Sequence, residues 1–231
     1  MKNLITLVQQ DIKFQFRQGF YTVYSIITLF YIVILKLLSG SITNIITPLI
    51  IFSDPTFIGF FFIGAILFFE REQNVTTALF ITPVKIEEYV LAKCISLTSV
   101  TLFVSVVIVG VVIGFKINWF LLLFGIISTS FIFILLGMII SNYVKKITLY
   151  LLIGGFLISP LALPIFYILG LNSSMLFYIL PSTASLKLIF GAINSNISLL
   201  DLIYSLLYLT ILCIIIFIGV VKTEENKNEN I

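Results

Sequence analysis

The 231-residue chain is 60% apolar and 10% charged, with a mean hydropathy of +1.22. A soluble domain carries about 25% charged residues, so the chain belongs in a membrane, and its length leaves little for an aqueous domain. A net charge of +3 gives no basis for a nucleic-acid partner, and the absence of histidine excludes His-dependent metalloproteases, Ser-His proteases and His-ligated metal enzymes.

The first nineteen residues, MKNLITLVQQDIKFQFRQG, interrupt any apolar core at Gln9, Gln10, Asp11 and Lys13, so they do not read as a signal peptide. Ile5, Val8, Ile12 and Phe16 share one helical face, with Lys2, Lys13 and Arg17 elsewhere. That is the pattern of an interfacial helix over 1–19. Span one is expected over about 20–38. Asp54 and Pro55 read as a helix start, because Asp accepts free amides at the N-cap and Pro is tolerated at N1, so span two is expected over about 54–69. Sixteen residues reach roughly 24 Å, short of a core about 30 Å thick, which sets Asp54 just inside the boundary. Capping accounts for Asp54; an ionisable residue at that depth also invites a place in a substrate path. The apolar piece 45–52, with Pro48 inside, is too short to cross and is expected to dip in and return.

Between spans two and three lies EREQNVTTALFITPVKIEEYVLAK, residues 70–93. Its four Glu, one Arg and two Lys cannot sit in hydrocarbon, at roughly 2.5–3.5 kcal/mol each. Yet Val75, Leu79 and Phe80, then Ile86 and Val90, recur near helical spacing on either side of Pro83. Connectors between helices are usually a few residues long. A longer one with two amphipathic halves reads as a docking element, and its alternative is a solvated connector.

Span three is expected over about 89–115. Thr98, Thr101 and Ser105 share one of its faces, as a substrate path or as hydroxyl packing between helices, and Gly110 and Gly114 form a GxxxG for a second neighbour. Trp119 opens span four, about 119–141, and Asn142, Tyr143, Lys145 and Lys146 close it. Span five, about 149–169, should be kinked by its glycines, Pro160 and Pro164. SSMLFYILPSTASLKLIFGAINSN breaks at Pro181 into halves too short to cross, and reads as a re-entrant helix pair. Ser198 and Asp201 resemble a capping box opening span six, about 199–221, and the polar tail 222–231 is expected to be disordered. Cys94 and Cys213 offer neither a CxxC pair nor a metal spacing and read as packing residues.

With six spans and the N-terminus inside, Lys2, Lys13, Arg17, Arg71, Lys85, Lys93, Lys145, Lys146, Lys222 and Lys227 are cytoplasmic, and only Lys36, Lys116 and Lys187 are outside. The 70–93 element and both termini are then cytoplasmic. No GxxxxGK[ST] occurs, so any nucleotide-driven motor must be a separate polypeptide.

Over nearly its whole length the sequence resembles the type-2 ABC transporter permeases. FFERE…ALFITPVKIEEYVLAK is similar to their E-R-E…L-x-x-T-P-V…E-Y-x-L-x-K signature. FQFRQGFYTVYSIITLFYIVIL, FSDPTFIGFFFIGAILFFERE and YLLIGGFLISPLALPIF are similar to the permeases for fluoroquinolone export. The resemblance implies an all-α polytopic fold: an interfacial N-terminal helix, six spans, a cytoplasmic coupling helix between spans two and three, and a re-entrant pair before span six. It makes Glu70, Arg71 and Glu72 the inner end of span two, Thr82, Pro83 and Val84 the tip of the coupling region, and Glu88, Tyr89 and Lys93 the start of span three; Leu79 and Phe80 flank that tip. Asn74 and Val75 depart from the Gly of E-x-G-T in many relatives.

The resemblance also implies two permease subunits, alike or different, with two ATPase subunits that bind the ATP and Mg, this chain binding no cofactor. An amphipathic drug, peptide or lipid would move outward through the cytoplasmic (inner) membrane of a prokaryote. A secondary transporter would carry ionisable residues for ion coupling near the midplane, and often internal repeats, and neither is found. The alternative is a non-catalytic immunity or structural membrane protein without an ATPase partner.

Overall fold

The computed structural model describes residues 2–73, 75, 84–168, 170 and 175–228. Every regular element among them is helical: α1 (Lys2–Arg17), α2 (Phe20–Leu37), α3 (Gly40–Glu72), α4 (Ile86–Val112), α5 (Trp119–Tyr143), α6 (Ile147–Ala162), α7 (Pro164–Ile168), a 3₁₀ turn (Met175–Ile179), α8 (Pro181–Asn194) and α9 (Leu199–Asn228). Among the described residues six stretches are long and apolar enough to cross a membrane: α2, α3, α4, α5, α6 with the start of α7, and α9. The segment 76–83, which holds most of the expected coupling helix, lies outside the described residues.

α3 corrects the sequence reading. It begins at Gly40, so the piece 45–52 is its first half and Asp54 and Pro55 lie in its interior rather than at its start. The cause is the solvent. A helix break in hydrocarbon strands more backbone groups than an internal proline does, and nearby hydroxyls cover freed carbonyls. Here Ser53 Oγ donates to the Ile50 carbonyl and Thr56 Oγ1 to the Phe52 carbonyl, both at 2.8 Å, on either side of the Ile51 carbonyl that Pro55 leaves without its helical donor. α9 likewise runs to Asn228 through the tail expected to be disordered, because Glu224 is buried and hydrogen-bonded there.

α3 and α5 form the most extensive helix pair and the centre of the bundle. Without a hydrophobic drive between helices in lipid, close approach of small residues does this. A Cβ on Gly137 of α5 would lie 2.5 Å from Ile63 Cγ2 and 2.8 Å from the Tyr150 hydroxyl. Tyr150 of α6 stacks on Phe60, ring centroids 5.2 Å apart, and donates its hydroxyl to the Phe60 carbonyl at 2.6 Å. The GxxxG of span three does not pack in this way. α4 ends at Val112, and Gly114 lies beyond it with φ +97° and open space at its Cβ position.

α8 is buried along most of its length against α5, α9 and α3. Ser198 caps α9 as expected, its Oγ accepting from the Asp201 amide at 3.1 Å and donating to Asp201 Oδ2 at 2.9 Å. Lys187 of α8 donates to Asp201 Oδ1 at 2.6 Å, and Tyr204 and Tyr208 donate to the Tyr178 and Ile179 carbonyls of the 3₁₀ turn. α6 ends at Ala162 and α7 begins at Pro164, so the proline-rich span, expected to be kinked, is interrupted at Leu163 while Pro160 sits inside α6.

Candidate coupling site

α3 ends at Glu72 and α4 starts at Ile86, so the two helices bracket the amphipathic segment. Tyr89 and Lys93, one turn apart on α4, face the last turn of α3. Lys93 is 2% exposed, and its Nζ donates to Glu70 Oε1 and, at 2.5 Å, to Asp11 Oδ1 of α1. Tyr89 donates its hydroxyl to Glu70 Oε2 at 2.7 Å. Both Glu70 oxygens are thus engaged by α4. One turn further along α1, Gln15 Nε2 donates to Ser96 Oγ at 3.1 Å.

Arg71 faces the other way. Its Nη1 donates to the Ser141 carbonyl at 2.7 Å and its Nη2 to Asn142 Oδ1 at 2.9 Å, at the end of α5. The guanidinium carbon lies 5.2 Å from the Phe68 ring centroid. Asn142 Nδ2 then donates to Glu224 Oε1 of α9 at 2.6 Å. Glu70 and Arg71 therefore tie four other helices, α1, α4, α5 and α9, to the end of α3.

The Lys93 ammonium stands between two carboxylates in a region poor in water. A buried ion pair is held by geometry and extra hydrogen bonds, and loss of one partner strands a charge. Burial pushes the Asp11 carboxyl above its ordinary value, opposed by Lys93 beside it. A cavity of about 180 Å³ lies against Asp11, Glu70, Tyr89 and Lys93, and a second of about 380 Å³ lies against Lys13 and Arg17. Gln10, Phe14 and Gln73 line both, so a cleft runs between α1 and the end of α3.

Of the residues singled out in the sequence, Glu70 and Arg71 sit in this network. Glu72 is exposed at the helix end, and Val84 and Glu88 are half-buried before and within the first turn of α4. Leu79, Phe80, Thr82 and Pro83 lie outside the described residues. Thr98, Thr101 and Ser105 are buried: Thr98 Oγ1 donates to Ser130 Oγ of α5 at 3.0 Å, and Thr101 Oγ1 to the Thr98 carbonyl at 3.0 Å. Asp54 is buried mid-helix with no capping role, which corrects the sequence reading that the spans hold no such ionisable residue.

Asp11, Gln15, Asn142 and Glu224 escaped the sequence reading. Asp11 counted as an interruption of an apolar core and Gln15 went unremarked, whereas they are the residues by which α1 docks on α4. The signal was Lys93: an ammonium seven residues into an apolar helix needs a partner, and the carboxylates of neighbouring elements were the candidates. Among the described residues no group of His, Cys, Asp or Glu could hold a metal. The arrangement ties the helices on both sides of segment 73–85 to the bundle.

A model of the fluoroquinolones export permease protein family matches residues 2–225. Two curated relatives carry the name fluoroquinolones export permease protein, from Mycobacterium tuberculosis strains CDC 1551 / Oshkosh and ATCC 25618 / H37Rv. Each is 28% identical over 203 residues, covering 86% of this chain and 84% of the relative. No solved structure matches.

Proposed function

This chain belongs to the fluoroquinolones export permease family, and from that premise we propose that it is the permease subunit of an ATP-driven ABC exporter moving an amphipathic drug out across the cytoplasmic membrane of a prokaryote. Two permease subunits work with two ATPase subunits, which bind the ATP and Mg. α1, the 70–93 element and both termini face the cytoplasm, on the basic-residue asymmetry of the sequence, and α1 lies in the interface with Ile5 and Phe16 toward lipid, a reading supported by their exposure.

The observation that carries the coupling role is the Glu70 and Arg71 network. A force applied to segment 73–85 by a docked ATPase meets no slack at either end: Glu70 is bonded to Tyr89 and Lys93, and Arg71 passes the load to α5 and, through Asn142, to α9. Coupling needs an element with discrete arrangements that both sites bias, and a rigid buried network moves as a unit or breaks. On the family resemblance, Thr82, Pro83 and Val84 are the tip that enters the ATPase, with Leu79 and Phe80 as its apolar flank and Glu72 and Glu88 at its ends. The test is to purify the chain from native membranes with whatever ATPase accompanies it and measure ATP hydrolysis with and without norfloxacin. Drug-stimulated hydrolysis in the complex and none in the isolated chain is the expected result; hydrolysis by the isolated chain overturns the division of labour.

A further inference from the structure

The middle of α3 holds a carboxylate that coupling does not use. Thr43, Thr47, Ile50, Asp54 and Ile58 recur at helical spacing, and Ile50 and Ile58 pack with Tyr24 and Leu35 of α2 and Val104 of α4. Asp54 and Tyr24 are each 3% exposed. Yet Asp54 Oδ2, Tyr24 OH and Thr47 Oγ1 have no hydrogen-bond partner among the described residues. Asp54 forms no ion pair among them either. Tyr31 joins the same cluster, so Tyr24 and Tyr31 of α2 pack against the stretch of α3 that holds Asp54.

A charged group inside a helix bundle is costly and marks a functional position by default. An opening between α2, α3 and α4 lies at the end of the bundle opposite the coupling site. There Leu35, Leu38, Thr43, Asn44 and Val112 line a cavity of about 410 Å³, with Lys36 exposed at its rim. From Thr43 to Asp54 is eleven residues, roughly 16 Å along α3.

We propose that Asp54, with Tyr24 on the helix packed against this stretch, binds the protonated amine of an amphipathic substrate, and that the substrate leaves between α2, α3 and α4 toward the cavity at Thr43 on the far side of the membrane. This rests on the export reading for its direction only. An inorganic divalent cation demands six or more oxygens, and the site offers one carboxylate and a few hydroxyls. An organic ammonium needs one counter-charge, a hydrogen-bond acceptor and apolar or aromatic walls. Tyr24, Tyr31 and Phe62, the last with its ring centroid 5.2 Å from that of Tyr24, supply those walls.

The test uses two matched pairs of ligands on the purified full chain in nanodiscs: norfloxacin and its N-acetylated form, and dansylcadaverine and its N-acetylated form. Acetylation removes the basic amine and keeps the rest. Wild type should bind at least one amine about tenfold tighter than its acetylated partner. Asp54→Asn should abolish that preference while leaving binding of the uncharged N-acetylated dansylcadaverine unchanged, Asp54→Glu should retain it, and Tyr24→Phe should reduce it. Asp54→Glu and Tyr24→Phe keep the test decisive if Asp54→Asn does not insert. Preference for dansylcadaverine without norfloxacin binding keeps the amine site and sinks the quinolone substrate. Equal binding of amine and acetylated forms in wild type, or a preference that survives Asp54→Asn, overturns the proposal.

Discussion

The Lys93 ammonium of α4 is bonded to Glu70 in the last turn of α3, so the two helices that bracket segment 73–85 are locked together at their bases. Lys93 holds Asp11 of α1 at the same time, 2.5 Å away. One cation thus compensates two carboxylates. Lys93→Met strands both and should destabilise the chain by about 3–5 kcal/mol. Glu70→Gln should cost less, because its amide oxygen still accepts from Tyr89. Thermal unfolding in detergent measures both, and a Lys93→Met variant as stable as wild type would remove the pair from the account.

Asp11 carries a pH dependence of definite sign. Burial raises its pKa in the folded chain, so the folded state holds this proton to a higher pH than the unfolded chain, whose carboxyl titrates near 3.9. As pH rises from about 4, the unfolded state sheds the proton first and stability falls. Asp11→Asn removes the effect. The melting temperature of the variant minus that of wild type should rise as pH is raised from about 4; a difference that falls with pH has the wrong sign.

Gly137 admits no side chain. A methyl group there meets Ile63 Cγ2 at 2.5 Å and the Tyr150 hydroxyl at 2.8 Å, both inside the bundle centre. Gly137→Ala should cost about 1–3 kcal/mol by overpacking. Gly155→Ala on the next helix has open space and should be nearly silent. Comparing the two by unfolding in detergent separates a packing effect from a general intolerance of glycine replacement.

Topology is checked by thiol labelling in a variant lacking Cys94 and Cys213. Gln73 and Asn118 are exposed, at opposite ends of the bundle. A cysteine at Asn118 should react with an impermeant reagent in intact cells, and one at Gln73 only after the membrane is opened. Labelling at 73 in intact cells reverses the orientation.

What the sequence made legible follows from which constraints are local. Span composition, the Ser198–Asp201 cap and the break between Ala162 and Pro164 depend on residues a few positions apart, and the structure holds all three. Asp54–Pro55 misled because the start signal is the same in water and in lipid, whereas the cost of breaking a helix is not. Asp11, Asn142 and Glu224 were hidden because each acts through a partner more than seventy positions away. No periodicity reports such a pairing.

The central claim is that segment 73–85 docks an ATPase and the Glu70 network relays its motion. Burying one apolar side chain contributes on the order of 1.5–3 kcal/mol, so placing charges at Phe80 and Val84 should weaken association by several orders of magnitude. The measurement is ATPase co-purification and norfloxacin-stimulated hydrolysis for the Phe80→Asp/Val84→Asp double variant, with insertion verified by the labelling pattern above. Loss of both activities from a normally inserted chain is the result predicted; wild-type co-purification and stimulation would make the segment a connector and contradict the coupling role.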